Sequence, residues 1–247
     1  MKATQFEFRF RMAIVVVILA LGFSAPWIEP FHLGNRVSTL EYLALELSRV
    51  ALVSFTLATP LVIAVGALFA AIGAVLRVWG TAWLGPATVL SSQMKAGAVL
   101  ADGPYRYVRN PLYIGVWFMI AALALTMPPS GALFVLVAET IFYLRLILAE
   151  ESFLLAKLGE PYAAYLRAAP RLFPRLRSKL HPTGLKPDWR RGFLAETNPI
   201  GVFFILAILS WRYDNPLMLR AILINFGLSL VFRAFLPLPT PQPDSPR

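Results

Sequence analysis

The sequence predicts an all-α integral membrane protein of about six transmembrane helices, with a cofactor pocket formed by loops and short helices on the cytoplasmic side. Three observations predict it. Hydrophobic residues make up 58% of the 247-residue chain, charged residues only 15%, and the mean hydropathy is +0.66. Soluble domains are nearer one half apolar. The apolar residues also come in blocks of about 20, the length a bilayer demands of a helix. Finally, the Lys and Arg residues collect in alternate connections between those blocks.

The spans are expected at 12–28, 50–76, 113–127, 131–149, 197–213 and 217–236. The first block follows Lys2, Arg9 and Arg11 and ends at Pro26-Trp27. It lacks a small-residue cleavage site followed by a soluble domain, so it reads as an uncleaved span. Residues 29–49 carry five charges and read as a short surface helix. The second block is longer than a bilayer needs and should tilt or kink at Pro60. Between Arg77 and Tyr113 the chain is not membrane-like, and residues around Gln93–Gly97 suggest a short hairpin or extended cover. Met127-Pro128-Pro129-Ser130-Gly131 makes a tight turn between two apolar segments, and Asp214-Asn215-Pro216 does the same for the last pair. Residues 153–176 suggest an amphipathic helix broken near Gly159-Glu160-Pro161. The basic run that follows, to Arg191, is expected against anionic headgroups. The proline-rich tail from Pro237 is expected to be disordered.

With six spans both termini share one side. That side holds eighteen of the 23 Lys and Arg residues, against four (Arg36, Arg49, Arg212, Arg220) on the other, with Arg145 inside a span. Such a bias places the first group, including both termini, in the cytoplasm. The domain organisation follows: N-terminal helices and their loop over 1–76, a core over 77–176, a basic linker over 177–196, a helical hairpin over 197–236 and a tail over 237–247.

Composition excludes several chemistries. There is no cysteine, hence no disulfide, thiolate nucleophile or cysteine metal site, and the two histidines, His32 and His181, are far apart. No metal is expected. The net charge of +10 follows the loops of a membrane topology, which argues against nucleic acid as a partner.

Chemistry concentrates in two polar islands. Gly103-Pro104-Tyr105-Arg106-Tyr107-Val108-Arg109-Asn110-Pro111-Leu112-Tyr113-Ile114-Gly115 opens one apolar segment, and Glu150-Glu151 ends the next. A helical hairpin brings both to the same membrane face. Asn110 sits at an N-cap position and Pro111 suits the first helical turn. Free amides there, with Arg106 and Arg109, favour an anion. Tyr105, Tyr107 and Tyr113 suit stacking on a ring or a cation. Arg145, one and a half turns deeper than the acidic pair, must be paired or hydrated and should face the site or reach up to the interface. Taken singly, these features also suit topology signals, interfacial anchors and a solvated helix end.

The segment from Gly103 to Gly115 resembles the signature of isoprenylcysteine carboxyl methyltransferases and the related bacterial phospholipid methyltransferases. The resemblance extends to Arg77-Val78-Trp79, Leu84-Gly85, Glu150-Glu151, Leu158-Gly159-Glu160-Pro161-Tyr162, Tyr165 and Pro170-Arg171-Leu172-Phe173-Pro174, covering roughly residues 60–176. Where that family usually has histidine after the arginine, this chain has Asn110, which can hydrogen-bond but not carry a proton. The resemblance implies S-adenosylmethionine as methyl donor, a lipophilic acceptor from the bilayer, and a bacterial inner membrane or endoplasmic-reticulum-type membrane as location. It assigns Tyr105, Arg106, Tyr107, Asn110, Tyr113 and Gly115 to the cofactor pocket, closed by Glu150-Glu151; Pro111 and, from its depth in the helix, Arg145 are placed at the same pocket, and Arg109, Glu150 and Glu151 are expected to act in catalysis. A phospholipid N-methyltransferase, an NADPH-dependent sterol-type reductase with a similar motif, and a non-catalytic membrane scaffold are the alternatives. Oligomeric state is not legible.

Overall fold

The computed structural model describes residues 2–24, 37–50, 53–85, 99–182, 185–212 and 214–234, and every regular element among them is helical. The helices are α1 (Gln5–Arg9), α2 (Arg11–Phe23), α3 (Thr39–Arg49), α4 (Phe55–Leu84), α5 (Pro111–Ala124), α6 (Pro129–Leu158), α7 (Glu160–Ala168), α8 (Trp189–Ala195), α9 (Thr197–Leu209) and α10 (Asn215–Ala234). The expectations for Pro26-Trp27, Glu29, His32 and Arg36, for the Gln93–Gly97 region and for the tail after Pro237 lie outside the described residues.

Thr56–Leu84 and Pro129–Leu158 are long and apolar enough to cross a membrane, and α8 with the helix that follows it, bent by 65°, makes a third candidate. The six expected spans thus become two or three full-length candidates and three shorter apolar helices, Arg11–Phe23, Pro111–Ala124 and Pro216–Phe232. The 14 residues of α5 rise only about 21 Å, against a hydrocarbon core of about 30 Å.

Both long helices overrun their expected bounds. α4 starts at Phe55, accommodates Pro60 without interruption, and carries Arg77, Val78 and Trp79 within the helix to Leu84. The helix thus continues past the expected span end at residue 76 to Leu84, carrying Arg77, whose buried partner is described below. α6 likewise runs past Glu150-Glu151 to Leu158. Gly159, with φ +60°, then supplies a left-handed kink, and α7 follows as the remnant of the expected amphipathic segment.

What sets the helices in place is mostly small-residue packing. Gly66, Gly73 and Gly80 recur every seven residues along α4 and face the chain around α5: a side chain on Gly66 would meet Leu125, on Gly73 the Gly115 carbonyl at 2.8 Å, and on Gly80 Leu112. Close backbone approach across glycine is the usual way membrane helices gain contact. Gly22 of α2 and Gly131 of α6 cross in the same manner, without room for a Cβ on either. One apolar cluster joins α2, α5 and α6 through Ile120, Val135, Phe142 and Leu146. A second joins α4, α5, α9 and α10 through Ala70, Met119, Leu206 and Met218. Leu57, Leu61, Leu68 and Val75 on α4 and Leu133, Val137 and Ile141 on α6 are exposed, as a lipid-facing surface requires. The α5–α6 turn forms at Met127–Pro128 as expected, and α3 is held to it by Thr39 and Leu40 amides donating to the Met127 and Leu125 carbonyls. The hairpin therefore returns α6 to the end of the bundle where α4 stops and α5 starts.

Candidate active site

The first polar island folds as a 3-10 turn, Gly103–Arg106, followed by an extended step into α5. Gly103 is obligatory there: its φ is +54° and any Cβ would strike the Trp83 indole. Tyr105 is buried; its hydroxyl donates to the Gly80 carbonyl at 3.4 Å, and its own carbonyl accepts from the Tyr165 hydroxyl at 2.9 Å. Burial pushes the Tyr105 phenol well above its ordinary range. Arg106 donates twice to the Leu180 carbonyl (3.1 and 2.8 Å), and the Tyr107 carbonyl accepts from the Arg175 amide. The Tyr107 ring lies 6.3 Å from that of Trp79. The Arg106 side chain and the Tyr105 and Tyr107 carbonyls thus hold residues 165–180 across the island.

The next residues converge with the second island. Glu151 is buried, and Arg171 grips its carboxylate through Nε (3.1 Å) and Nη2 (2.8 Å). Arg109 Nε stands 3.5 Å from Glu151 Oε1, and Asn110 Nδ2 donates to the same oxygen at 3.3 Å and to the Arg171 carbonyl at 3.2 Å. The hydrogen bonds from Arg171 to Glu151 raise the arginine's pKa further. Two cations against one carboxylate leave this cage with a surplus positive charge. The Arg109 Nε–H, although buried, makes no hydrogen bond among the described residues. Beside the cage, Tyr113 donates to Glu150 at 3.0 Å, and its ring lies 5.9 Å from that of Tyr143.

Asn110 occupies the N-cap position of α5, and Pro111 its first turn, but the Asn110 side chain makes no capping bond. The expected N-cap position is thus occupied, while the Asn110 amide nitrogen donates to Glu151. Gly115 packs on α4, where a Cβ would meet Arg77 Cγ and the Gly73 carbonyl, each at 3.0 Å. Arg145 is paired away from the cage. Its guanidinium holds Glu7 of α1 at 2.9 Å, and its carbonyl accepts from the Ala3 amide. Arg145 in turn holds the Glu7 carboxyl down to about 2, helped by the Thr4 amide.

Sequence reasoning missed three participants. Arg171 was visible only as part of a motif block. Glu196, 1% exposed at the α8–α9 bend, takes Arg77 Nε at 2.8 Å and Nη2 at 2.7 Å and the Thr81 hydroxyl at 2.6 Å. Glu7 was passed over in a basic arm. The available signal was the same for the two acids, a carboxylate within a few residues of an apolar block, but neither partner is near in sequence.

Neither the curated proteins nor the solved structures hold a match to the chain. Residues 61–160, which contain α5, most of α4 and every member of the cage except Arg171, match the family model described as phospholipid methyltransferase.

Proposed function

We propose that the chain transfers a methyl group from S-adenosylmethionine to a lipophilic acceptor that reaches the helix ends from the bilayer. The observation that carries this reading is the Glu151–Arg109–Arg171–Asn110 cage next to the Tyr113–Glu150 pair, all but Arg171 lying in the segment that matches the phospholipid methyltransferase model. The donor set fits such a cofactor. Its carboxylate suits the cage's surplus positive charge and the unspent Arg109 N–H, and its cationic groups suit Glu150. When bound, S-adenosylmethionine supplies an electrophilic methyl on a good leaving group. The protein's task is then chiefly alignment.

In this reading Arg109, Glu150 and Glu151 are the acting residues, with Asn110 and Tyr113 orienting them. Tyr105, Arg106, Tyr107, Pro111 and Gly115 shape the island, and Arg145 docks the N-terminal arm. The distribution of Lys and Arg supports a cytoplasmic site. A phospholipid amine is the acceptor the family match favours. An ammonium must lose a proton before its nitrogen can attack, and Glu150 is the nearby carboxylate for that step. An isoprenylcysteine-type carboxylate is the second reading, favoured by the cage's net positive charge; it needs no base.

The test is transfer of labelled methyl from S-adenosylmethionine to a total membrane extract, with identification of the labelled species. Arg109→Ala should abolish transfer while the protein still inserts, and wild-type turnover by that variant would sink the proposal. Thermal stabilisation by NADPH and not by S-adenosylmethionine would favour the reductase reading; stabilisation by neither would favour a scaffold.

A further inference from the structure

Residues 170–180 lie across the active-site island with their two sides doing different things. Inward, the Pro170 carbonyl accepts from the Arg109 amide, the Arg171 side chain holds Glu151, the Arg175 amide donates to the Tyr107 carbonyl, and the Ser178 hydroxyl and Leu180 carbonyl bind Arg106. Outward, Phe173 is 86% and Leu176 99% exposed, interleaved with exposed Arg175, Arg177 and Lys179. A strap so well anchored on one side has no folding reason to hold two large apolar side chains in water.

The surface continues into α8. Gly192 and Ala195 bury against α4, where a Cβ on Gly192 would touch Ala82, while Trp189, Arg190, Arg191, Phe193 and Leu194 face out. α8 lies 65° from the helix that follows it, so with α9 near the membrane normal α8 runs towards the membrane plane. No Asp or Glu occurs between Pro161 and Pro187, and Asp188 is paired with Arg191 at 3.3 Å. Cations with interspersed large apolar and aromatic groups, at a span end, match the charge and polarity of an anionic headgroup layer.

We propose that residues 173–182 and 185–194 form a docking surface for an anionic phospholipid leaflet, with Phe173 and Leu176 entering the boundary between headgroups and acyl chains. Because the inner side of the same strap holds Arg106, Arg109 and Glu151, lipid docking steadies the cage, and anionic lipid content then tunes the site. That last consequence rests on the proposed function; the docking does not.

The chain has no cysteine, so Leu176→Cys in the full-length protein accepts a single environment-sensitive fluorophore. The labelled protein is reconstituted in phosphatidylcholine vesicles with and without roughly 30 mol% phosphatidylglycerol. With phosphatidylglycerol the label should shift to the blue and be quenched by lipid-borne nitroxides. Both effects should be lost without it or at about 0.5 M salt, where charges are screened. Arg177→Gln and Lys179→Gln, side chains outside the cage, should each weaken the anionic-lipid dependence about fivefold. A label quenched only from water in every vesicle overturns the proposal. So does immersion that is equal in neutral lipid and indifferent to salt, and so does protection that appears only when a protein extract is added. Immersion without methyl transfer would count against the proposed function alone, and turnover with a water-exposed label against this inference alone.

Discussion

Glu151→Gln isolates the charge that organises the candidate site, since glutamine keeps the shape and removes only the anion. Two guanidiniums depend on that anion unequally. Arg109 is 11% exposed and 3.5 Å away; Arg171 is 41% exposed and 2.8 Å away. At 3.5 Å and an effective dielectric of about 20, a unit charge pair is worth about 5 kcal/mol before desolvation is subtracted. Removing one partner of a buried pair typically costs about 3–5 kcal/mol, because the other charge is stranded. Arg171 can turn to water, so Arg171→Gln should cost no more than about 1 kcal/mol in stability. The expected order is therefore Glu151→Gln far more destabilising than Arg171→Gln. Unfolding in mixed micelles, followed by circular dichroism, measures both. A double-mutant cycle with Arg109→Gln should return a coupling of about 2 kcal/mol or more, within the range for residues in one network. If Glu151→Gln unfolds within about 1 kcal/mol of wild type, or the coupling with Arg109 is below about 0.5 kcal/mol, the buried-cage reasoning fails.

Other perturbations probe separate parts of the molecule. Glu139 of α6 is 0% exposed and neither carboxyl oxygen has a partner at full hydrogen-bond geometry among the described residues, with the Tyr143 hydroxyl as its neighbour; Glu139→Leu combined with Tyr143→Phe should therefore stabilise by roughly 1–3 kcal/mol, and a drop in melting temperature would contradict it. Gly73→Leu drives a branched side chain into the Gly115 backbone and should destabilise by about 1–3 kcal/mol or more, read as a lower midpoint in the same micelle titration. Glu7 is held at about 2 against an ordinary 4.5 by Arg145. Its depressed value means that the tie is fully present above about pH 4.5 and is lost as pH falls through about 2. Protease access to the first ten residues should accordingly be flat from pH 7 to 5 and rise only in acid, and Arg145→Gln should abolish that dependence.

The elements of the candidate site were legible where local sequence chemistry suffices. Asn110-Pro111 marked a helix start and Met127–Pro129 a turn, and together they carried Glu150-Glu151 back beside Arg109. Which tyrosine or arginine meets the other island was not legible. Tyr105 and Arg106 look like ligand-binding groups in the string Gly-Pro-Tyr-Arg, yet Gly80 and Leu180 take up their hydrogen bonds. Helix ends were not legible either: α4 and α6 run on past Arg77 and Glu150-Glu151, and Arg77 and Glu151 find partners inside the fold.

Composition and pattern alone determined a helical membrane chain without cysteine, with its polar residues gathered at one pair of helix ends. Apolar block length, proline and charge placement act through bilayer thickness and local backbone geometry, and these need no knowledge of the partner. Only the tertiary structure decided the pairings Arg77 with Glu196, Arg145 with Glu7 and Arg171 with Glu151, which are 119, 138 and 20 residues apart. The glycine stripe at 66, 73 and 80 belongs to both accounts. Its seven-residue period is plain in the sequence, but that it faces α5 is a property of two helices packed together. A long-range ion pair carries no periodicity and no local propensity; it exists only once packing has brought both charges out of water at the same place.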